Sequence, residues 1–320
     1  MNRPLIAPAL AGSLFVLVAA VSFGTIGPVS NLAYAAGMTA WGFTIVRSAG
    51  GSVILLALAW AWRRQAGWLG PLGLPPRERW ALLAAVITAI VTSLALNAAY
   101  GTVAVAIAVA GFYTYPFILA LVGAIRGDEP ITRLRALALI LALIGLGAIV
   151  SGQLEPGVVF VPLGLVLALI ASGSQAAYLL ISRRGYPSLP AMQGAGIVLA
   201  GGALAAMAAA ALSGNLAAAL GPLGSDATWA PTLAGAVIGA AVPTVCLLAG
   251  VRLLGGTRTG ILMLAEPVTG VLLASVVLGQ ALTLPIAVGI AAIVTGAGLI
   301  NRRQGSAAIV RQTVQQIPSE

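Results

Sequence analysis

YTYPFILALVGAIRGDEPITRLRALALILALIGLGAIVSG, residues 113–152, recurs in outline as LAEPVTGVLLASVVLGQALTLPIAVGIAAIVTGAGLINRR, residues 264–303. A shift of 151 aligns the two without a gap. Pro116 falls on Pro267, Leu121 on Leu272, Thr132 on Thr283 and Ala136 on Ala287. Gly145, Gly147 and Ile149 fall on Gly296, Gly298 and Ile300. Upstream, a shift of about 150 sets Ser22 on Ser172 and the first apolar run on the sixth.

Each copy contains two apolar runs and a turn, and the rest of the chain continues the pattern. About 20 apolar residues cross about 30 Å of hydrocarbon as a helix. On that measure ten spans are expected: 7–32, 38–62, 79–98, 101–125, 133–151, 160–182, 190–212, 229–251, 257–278 and 284–301. Hydrophobic residues make up 60% of the chain and charged residues 7%, far below the roughly 25% charge of a soluble domain. The mean hydropathy is +1.06.

The charges supply the orientation. There is no Lys, and the 16 basic residues are all Arg. Arg3 precedes the first span. Arg63, Arg64, Arg77 and Arg79 mark the second gap, and Arg126, Arg133 and Arg135 the fourth. Arg183 and Arg184 mark the sixth, Arg252 and Arg258 the eighth, and Arg302, Arg303 and Arg311 follow the last span. The odd-numbered gaps have none. Cytoplasmic loops retain Arg and Lys, so the alternation predicts both termini in the cytoplasm. Five spans per copy then turn the second copy upside down. The expected fold is all-α and integral to the membrane, with ten transmembrane helices as two inverted five-helix repeats. The units are residues 1–152 and 153–303, with 304–320 a mobile cytoplasmic tail.

Composition also excludes. A net charge of +9 dispersed by topology fits anionic lipid head groups and not nucleic acid. Without His, and with Cys246 as the single Cys, the chain has no His proton relay, no usual zinc site and no internal disulfide, so no metal or cofactor is expected. Without Lys it has no complete Walker A motif for ATP-driven pumping. The run Pro8–Gly27 followed by Ala33-Tyr34-Ala35 imitates a secretory signal, but it exceeds the roughly 7–15 residues of a signal core. It reads as an uncleaved first helix.

Pro116…Gly127-Asp128-Glu129-Pro130-Ile131-Thr132…Gly145-Leu146-Gly147 resembles the "P…GE.LT…G…GG" core of the EamA group in the drug/metabolite transporter superfamily. Glu266-Pro267…Leu278-Gly279-Gln280-Ala281-Leu282-Thr283…Gly296-Ala297-Gly298 is its second copy. Arg47 matches an Arg often found in the second helix. Two departures stand out: Gln280 replaces the second Glu, and Tyr115 stands opposite Glu266. Within the superfamily the chain looks most like bacterial amino-acid exporters of the YddG type. The resemblance implies a bacterial inner-membrane transporter that exports amino acids, aromatic ones included, by alternating access. It implies a small-molecule cargo, with no enzymatic activity.

Duplicated inverted halves bind cargo near the bilayer midplane, so candidate residues are those placed deep in the spans. Arg47 and Glu266 are ionisable, and each costs roughly 2.5–3.5 kcal/mol at a helix centre on insertion scales. Arg47 would take a carboxylate and Glu266 an amine, or the two bond each other or nearby carbonyls and hold the bundle together. A coupled proton would use Glu266. Tyr113, Tyr115, Ser174, Gln175, Tyr178 and Thr244 are candidate cavity residues. Trp41 and Tyr100 either join them or anchor helix ends at the interface. Pro28, Pro116, Pro243 and Pro267 interrupt helices and are candidate hinges. Ala138, Ala142 and Gly145, with Gly289, Gly296 and the pair Gly235–Gly239, are small-residue stripes for close packing. Two other functions remain open: an exporter of drugs or cationic metabolites, and a scaffold that moves nothing. No partner chain is needed to complete the repeat pair, so a monomer is expected.

Overall fold

The computed structural model describes residues 6–154 and 161–315. The chain is helical almost throughout. We number the main helices α1 (Ile6–Gly24 and Ile26–Ala35), α2 (Ala40–Ala61), α3 (Pro76–Tyr100), α4 (Val105–Phe112 and Tyr115–Ile125), α5 (Arg133–Gln153), α6 (Pro162–Arg184) and α7 (Ala191–Leu212). There follow α8 (Trp229–Ala236, a π turn Val237–Ala241, then Val242–Leu254), α9 (Gly256–Met263 and Ala265–Leu278) and α10 (Leu284–Gln315). Among the described residues nine segments are long and apolar enough to cross a membrane, and Leu284–Leu299 is a shorter apolar stretch. One expectation changes: α10 continues through 315, so the first part of the supposed tail, 304–315, is helical. The remainder, 316–320, lies outside the described residues.

The repeat visible in the sequence is also a repeat of helix ends. Adding 151 carries α2 onto α7 at both ends and Val105–Phe112 onto Gly256–Met263. It carries the start of α5 onto the start of α10. Packing follows the same rule: α1 lies on α8, α2 on α7, α3 on α6, α4 on α9 and α5 on α10. Exchanging first-half helices for their second-half counterparts returns the same set of pairs. Each half therefore completes its packing only against the other.

Glycines permit the approach at these crossings. A Cβ on Gly145 would sit 2.7 Å from the Gly289 carbonyl, and one on Gly289 would sit 2.5 Å from the Gly145 carbonyl. A Cβ on Gly296 would meet the Ala138 carbonyl at 3.0 Å. The stripes read from the sequence thus face one another across α5 and α10. In lipid, where burial from water drives little helix association, backbone proximity of this kind supplies the dispersion contacts.

Three helices break, each at a position set by proline. The upstream pieces of α1, α4 and α9 end at Gly24, Phe112 and Met263. These are the residues four before Pro28, Pro116 and Pro267, whose rings lack an N–H and crowd the carbonyl of the preceding turn. One tightened turn follows each: Thr25 N bonds Ser22 O at 3.1 Å, Thr114 N bonds Gly111 O at 3.3 Å, and Leu264 N bonds Ile261 O at 3.2 Å. In α8, Pro243 is preceded by the π turn instead of a break.

The Arg-rich second gap is ordered. Gln193 of α7 holds the Leu69 backbone from both sides, donating to its carbonyl and accepting from its N–H. Glu78 accepts from the N–H and hydroxyl of Ser188 at 3.1 and 2.8 Å. Leu74 is buried in the main core. Around this strap Trp60, Trp62 and Trp80 are exposed, and the Arg63 guanidinium lies 4.2 Å from the Trp60 ring centroid. Amphipathic rings and cations at a helix end suit the lipid head-group region.

A bulky residue at the α5–α10 crossing has nowhere to go. Gly145→Val is expected to lower the thermal unfolding temperature in detergent by several degrees, reflecting an overpacking cost of about 1–3 kcal/mol. Gly147→Val, on the same helix with no atom near its would-be Cβ, should change it little.

Candidate functional site

The break in α4 creates the first polar centre. On an unbroken helix, residues two apart point about 200° away from each other. The turn at Tyr113–Thr114 instead brings the Tyr113 and Tyr115 ring centroids to 6.1 Å. Phe112 packs against both, at 5.1 and 5.4 Å. Tyr113 and Tyr115 are buried, 4% and 1% exposed. From the opposite half, the break in α9 presents Glu266 to this cluster, beside the Tyr113 hydroxyl. Tyr100 and Tyr115 lie within electrostatic reach of the same carboxyl. Gly24 of α1 closes the third side: a Cβ there would be 2.9 Å from the Glu266 carbonyl.

Proline chemistry also explains the second centre. Pro243 has no N–H, so the Gly239 carbonyl, four residues back in the π turn, lacks its ordinary helical donor. Arg47 of α2 supplies one, with Nη1 2.7 Å from the Gly239 oxygen. Its stem runs along the small-residue stripe of α8: a Cβ on Gly235 would be 3.6 Å from Arg47 Cγ, and one on Gly239 3.5 Å from Arg47 Cδ. The Arg47 Nε is buried and has no hydrogen-bond partner. Tyr34 of α1 is within electrostatic reach, and its ring meets Phe43 edge-on at 6.1 Å.

Arg47 and Glu266 do not pair. Among the described residues the one ion pair joins Arg183 and Glu129. Of the two roles open to the intramembrane charges, mutual neutralisation is thus ruled out for this conformation, while bonding to a carbonyl holds for Arg47. Both remain half-buried, with part of their surface accessible.

The other candidates divide. Tyr100 is 40% exposed and faces Glu266 electrostatically, so it belongs with the first centre. Trp41 does not; it packs on the cluster of Ile45, Ala206, Ala210 and Ala219, between α2, α7 and the following loop. Thr244 is buried beside Pro243. Ser174 and Gln175 are half-buried on α6. Tyr178 is buried and has Ser182, Tyr186 and Arg252 as its polar neighbours. Its hydroxyl approaches Ser182, which already accepts from Tyr186 at 2.7 Å, and closes no well-formed hydrogen bond of its own. Arg252 completes that group, donating to the carbonyls of Leu189, Tyr186 and Ser182 at 2.8, 3.2 and 3.4 Å. Burial pushes the Tyr186 phenol up, which keeps it a proton donor to Ser182.

Three contributors escaped the sequence. Tyr34 was hidden inside a segment that imitates a cleavage site, and in the fold its ring meets Phe43 of α2. Thr114 and Ser172 share a hydroxyl hydrogen bond of 2.8 Å that ties the α4 break to α6. The Ser22–Ser172 equivalence was the available signal.

The model of the EamA-like transporter family matches the chain twice, over residues 10–151 and 162–302. The chain belongs to the EamA-like transporter family. It is a multi-pass membrane protein built of two EamA repeats, from a family of transporters and not of enzymes. No curated protein matches it. A crystal structure described only as that of a protein is similar with a TM-score of 0.78 and 19% identity, over 93% of this chain and 99% of that one. At that identity it supports the fold alone.

If Pro243 is what obliges Arg47 to serve Gly239, the two positions are thermodynamically coupled. Pro243→Ala restores a backbone donor to the Gly239 carbonyl. In that background Arg47→Gln is expected to cost about 1 kcal/mol less than in the parent. Thermal unfolding of the four proteins of the cycle reads the coupling, and strictly additive costs would break the link.

Proposed function

We propose that this EamA-family transporter exports amino acids, aromatic ones among them, across the bacterial inner membrane by alternating access. Residues 1–152 and 153–303 act as inverted units, with both termini cytoplasmic and the monomer as the working unit. The observation that carries the reading is a pair of opposite charges at membrane depth that do not neutralise one another. Glu266, set among Tyr100, Tyr113 and Tyr115, receives the amine, because a carboxylate flanked by aromatic faces is complementary to an ammonium group. Arg47 receives the carboxylate through its unpartnered Nε, in the bidentate geometry that suits guanidinium. The amine and carboxylate of an α-amino acid lie close together, so both centres engage one cargo only when the halves close around it. The rings of Phe112, Tyr113 and Tyr115 accommodate an aromatic side chain.

A coupled proton would exchange at Glu266, the one acidic residue placed well inside an apolar span. The second reading, export of cationic compounds, is favoured by the same three tyrosines around Glu266, and it needs no Arg47.

Counterflow in proteoliposomes separates these. Glu266→Gln is expected to lower amino-acid flux at least about tenfold, the loss of one charged hydrogen bond. Arg47→Gln should do the same for amino acids yet leave decarboxylated amines unaffected. Equal competition by lipophilic cations and amino acids, unaltered by Arg47→Gln, would favour the cation exporter. Wild-type proton dependence persisting in Glu266→Gln would remove Glu266 from coupling. Impermeant labelling should find single cysteines at 63 and 126 on one face of the bilayer.

A further inference from the structure

We infer that Glu129 forms a latch at the Arg-rich end of the molecule, with no equivalent at the other end, and so biases which face of the carrier is closed at rest. This rests on the alternating-access reading above. The Glu129 side chain is buried, 6% exposed for the residue, although it belongs to the loop between α4 and α5. Its Oε1 accepts from Gly256 N at 3.0 Å and its Oε2 from Thr257 N at 3.1 Å, capping the first turn of α9. Oε1 also pairs with Arg183 Nη1 at 2.8 Å, at the end of α6. One carboxylate therefore binds a first-half loop to two second-half helices. It meets both the positive end of a helix dipole and a guanidinium. Gly255 makes room for it: its φ is +84°, and any Cβ there would collide with the carboxylate and with Arg183.

The internal repeat supplies a control within the same chain. Under the shift of 151, Glu129 corresponds to Gln280, and Gly255–Gly256–Thr257 correspond to Ala104–Val105–Ala106. The local backbone repeats: Glu129 N bonds Gly123 O at 3.0 Å, and Gln280 N bonds Ala274 O at 3.4 Å, with Gly123 and Ala274 also 151 apart. The side chains do not repeat. Gln280 is exposed, and its side chain has no hydrogen-bond partner among the described residues. The position equivalent to Gly255 carries a methyl group, in Ala104. No Arg lies in the odd-numbered gaps to play the part of Arg183.

Two halves with near-equivalent packing would otherwise give two alternating states of similar free energy, each the mirror of the other. The carboxylate is the asymmetry. Opening the Arg-rich face separates α9 and α6 from the α4–α5 loop and breaks all three bonds of Glu129. Closing the opposite face gains at most a neutral amide against the N-terminus of α4. The resting carrier is therefore closed on the Arg-rich face, and cargo must overcome the latch to open it.

The test reads gate position without flux. In a Cys246→Ala background, Leu119→Cys places a thiol behind the latch, since Leu119 is 1% exposed and would be 3.3 Å from a Cβ on Gly256. Labelling by an impermeant maleimide from the Arg-rich face is measured in the full-length protein in proteoliposomes. Glu129→Gln is expected to speed labelling at least about tenfold, and Arg183→Gln severalfold. Arg183, partly exposed, carries the test if Glu129→Gln does not assemble. Labelling at the parent rate in every variant that assembles, with flux intact, overturns the latch and leaves the carrier reading standing. Faster labelling in a protein that moves no amino acid or cation supports the latch and sinks the carrier reading.

Discussion

A backbone carbonyl in hydrocarbon must find a donor inside the protein, and four prolines set at membrane depth take donors away. Much of the functional architecture is the consequence. Three prolines end helix pieces four residues upstream, at Gly24, Phe112 and Met263. The breaks turn Tyr113 and Tyr115 to one side and bring Glu266 to meet them. The fourth, Pro243, frees the Gly239 carbonyl that Arg47 occupies. Polar groups are thus admitted to the membrane interior at the places where the regular hydrogen-bond ladder has already been interrupted.

Interdigitation of the halves makes those interruptions useful. The tyrosines of the first polar centre lie in the first half and its carboxyl in the second. Arg47 belongs to the first half and its carbonyl partner to the second. Since every major helix pair joins one half to the other, a relative movement of the halves changes both centres at once. At the glycine crossings backbone meets backbone at Gly145 and Gly289, and the Ile293 and Ile149 side chains fill the space that a Cβ would take.

The two ends of the molecule differ more than the two halves do. Near the Arg-rich end, Glu129, Arg183, Arg252 and the Gln193-held strap join loops to helix termini by charged or multiple hydrogen bonds. At the other end the equivalent of Glu129 is an exposed amide. The end that gathers the loop Arg residues is thus also the end with the polar ties.

The ten apolar runs, the repeat, the proline positions and the two deep charges were all legible in the chain, because each depends on hydropathy, on a local sequence shift or on the missing N–H of a single residue type. The stripes on α5 and α10 were legible for the same reason, although not that they face one another. Whether Tyr178 neighbours Glu266 or Ser182, and that Tyr34 neighbours Arg47, was not legible, because helix rotation about its axis is set by neighbours and the hydropathy of these runs is nearly uniform around the helix. What only the tertiary structure decided were the partners: Arg47 with Gly239, 192 residues away, Glu129 with Gly256, 127 residues away, and Tyr113 with Glu266. Those pairings follow from which helix of one half lies against which helix of the other, a choice made by close packing between distant segments and invisible to any local pattern.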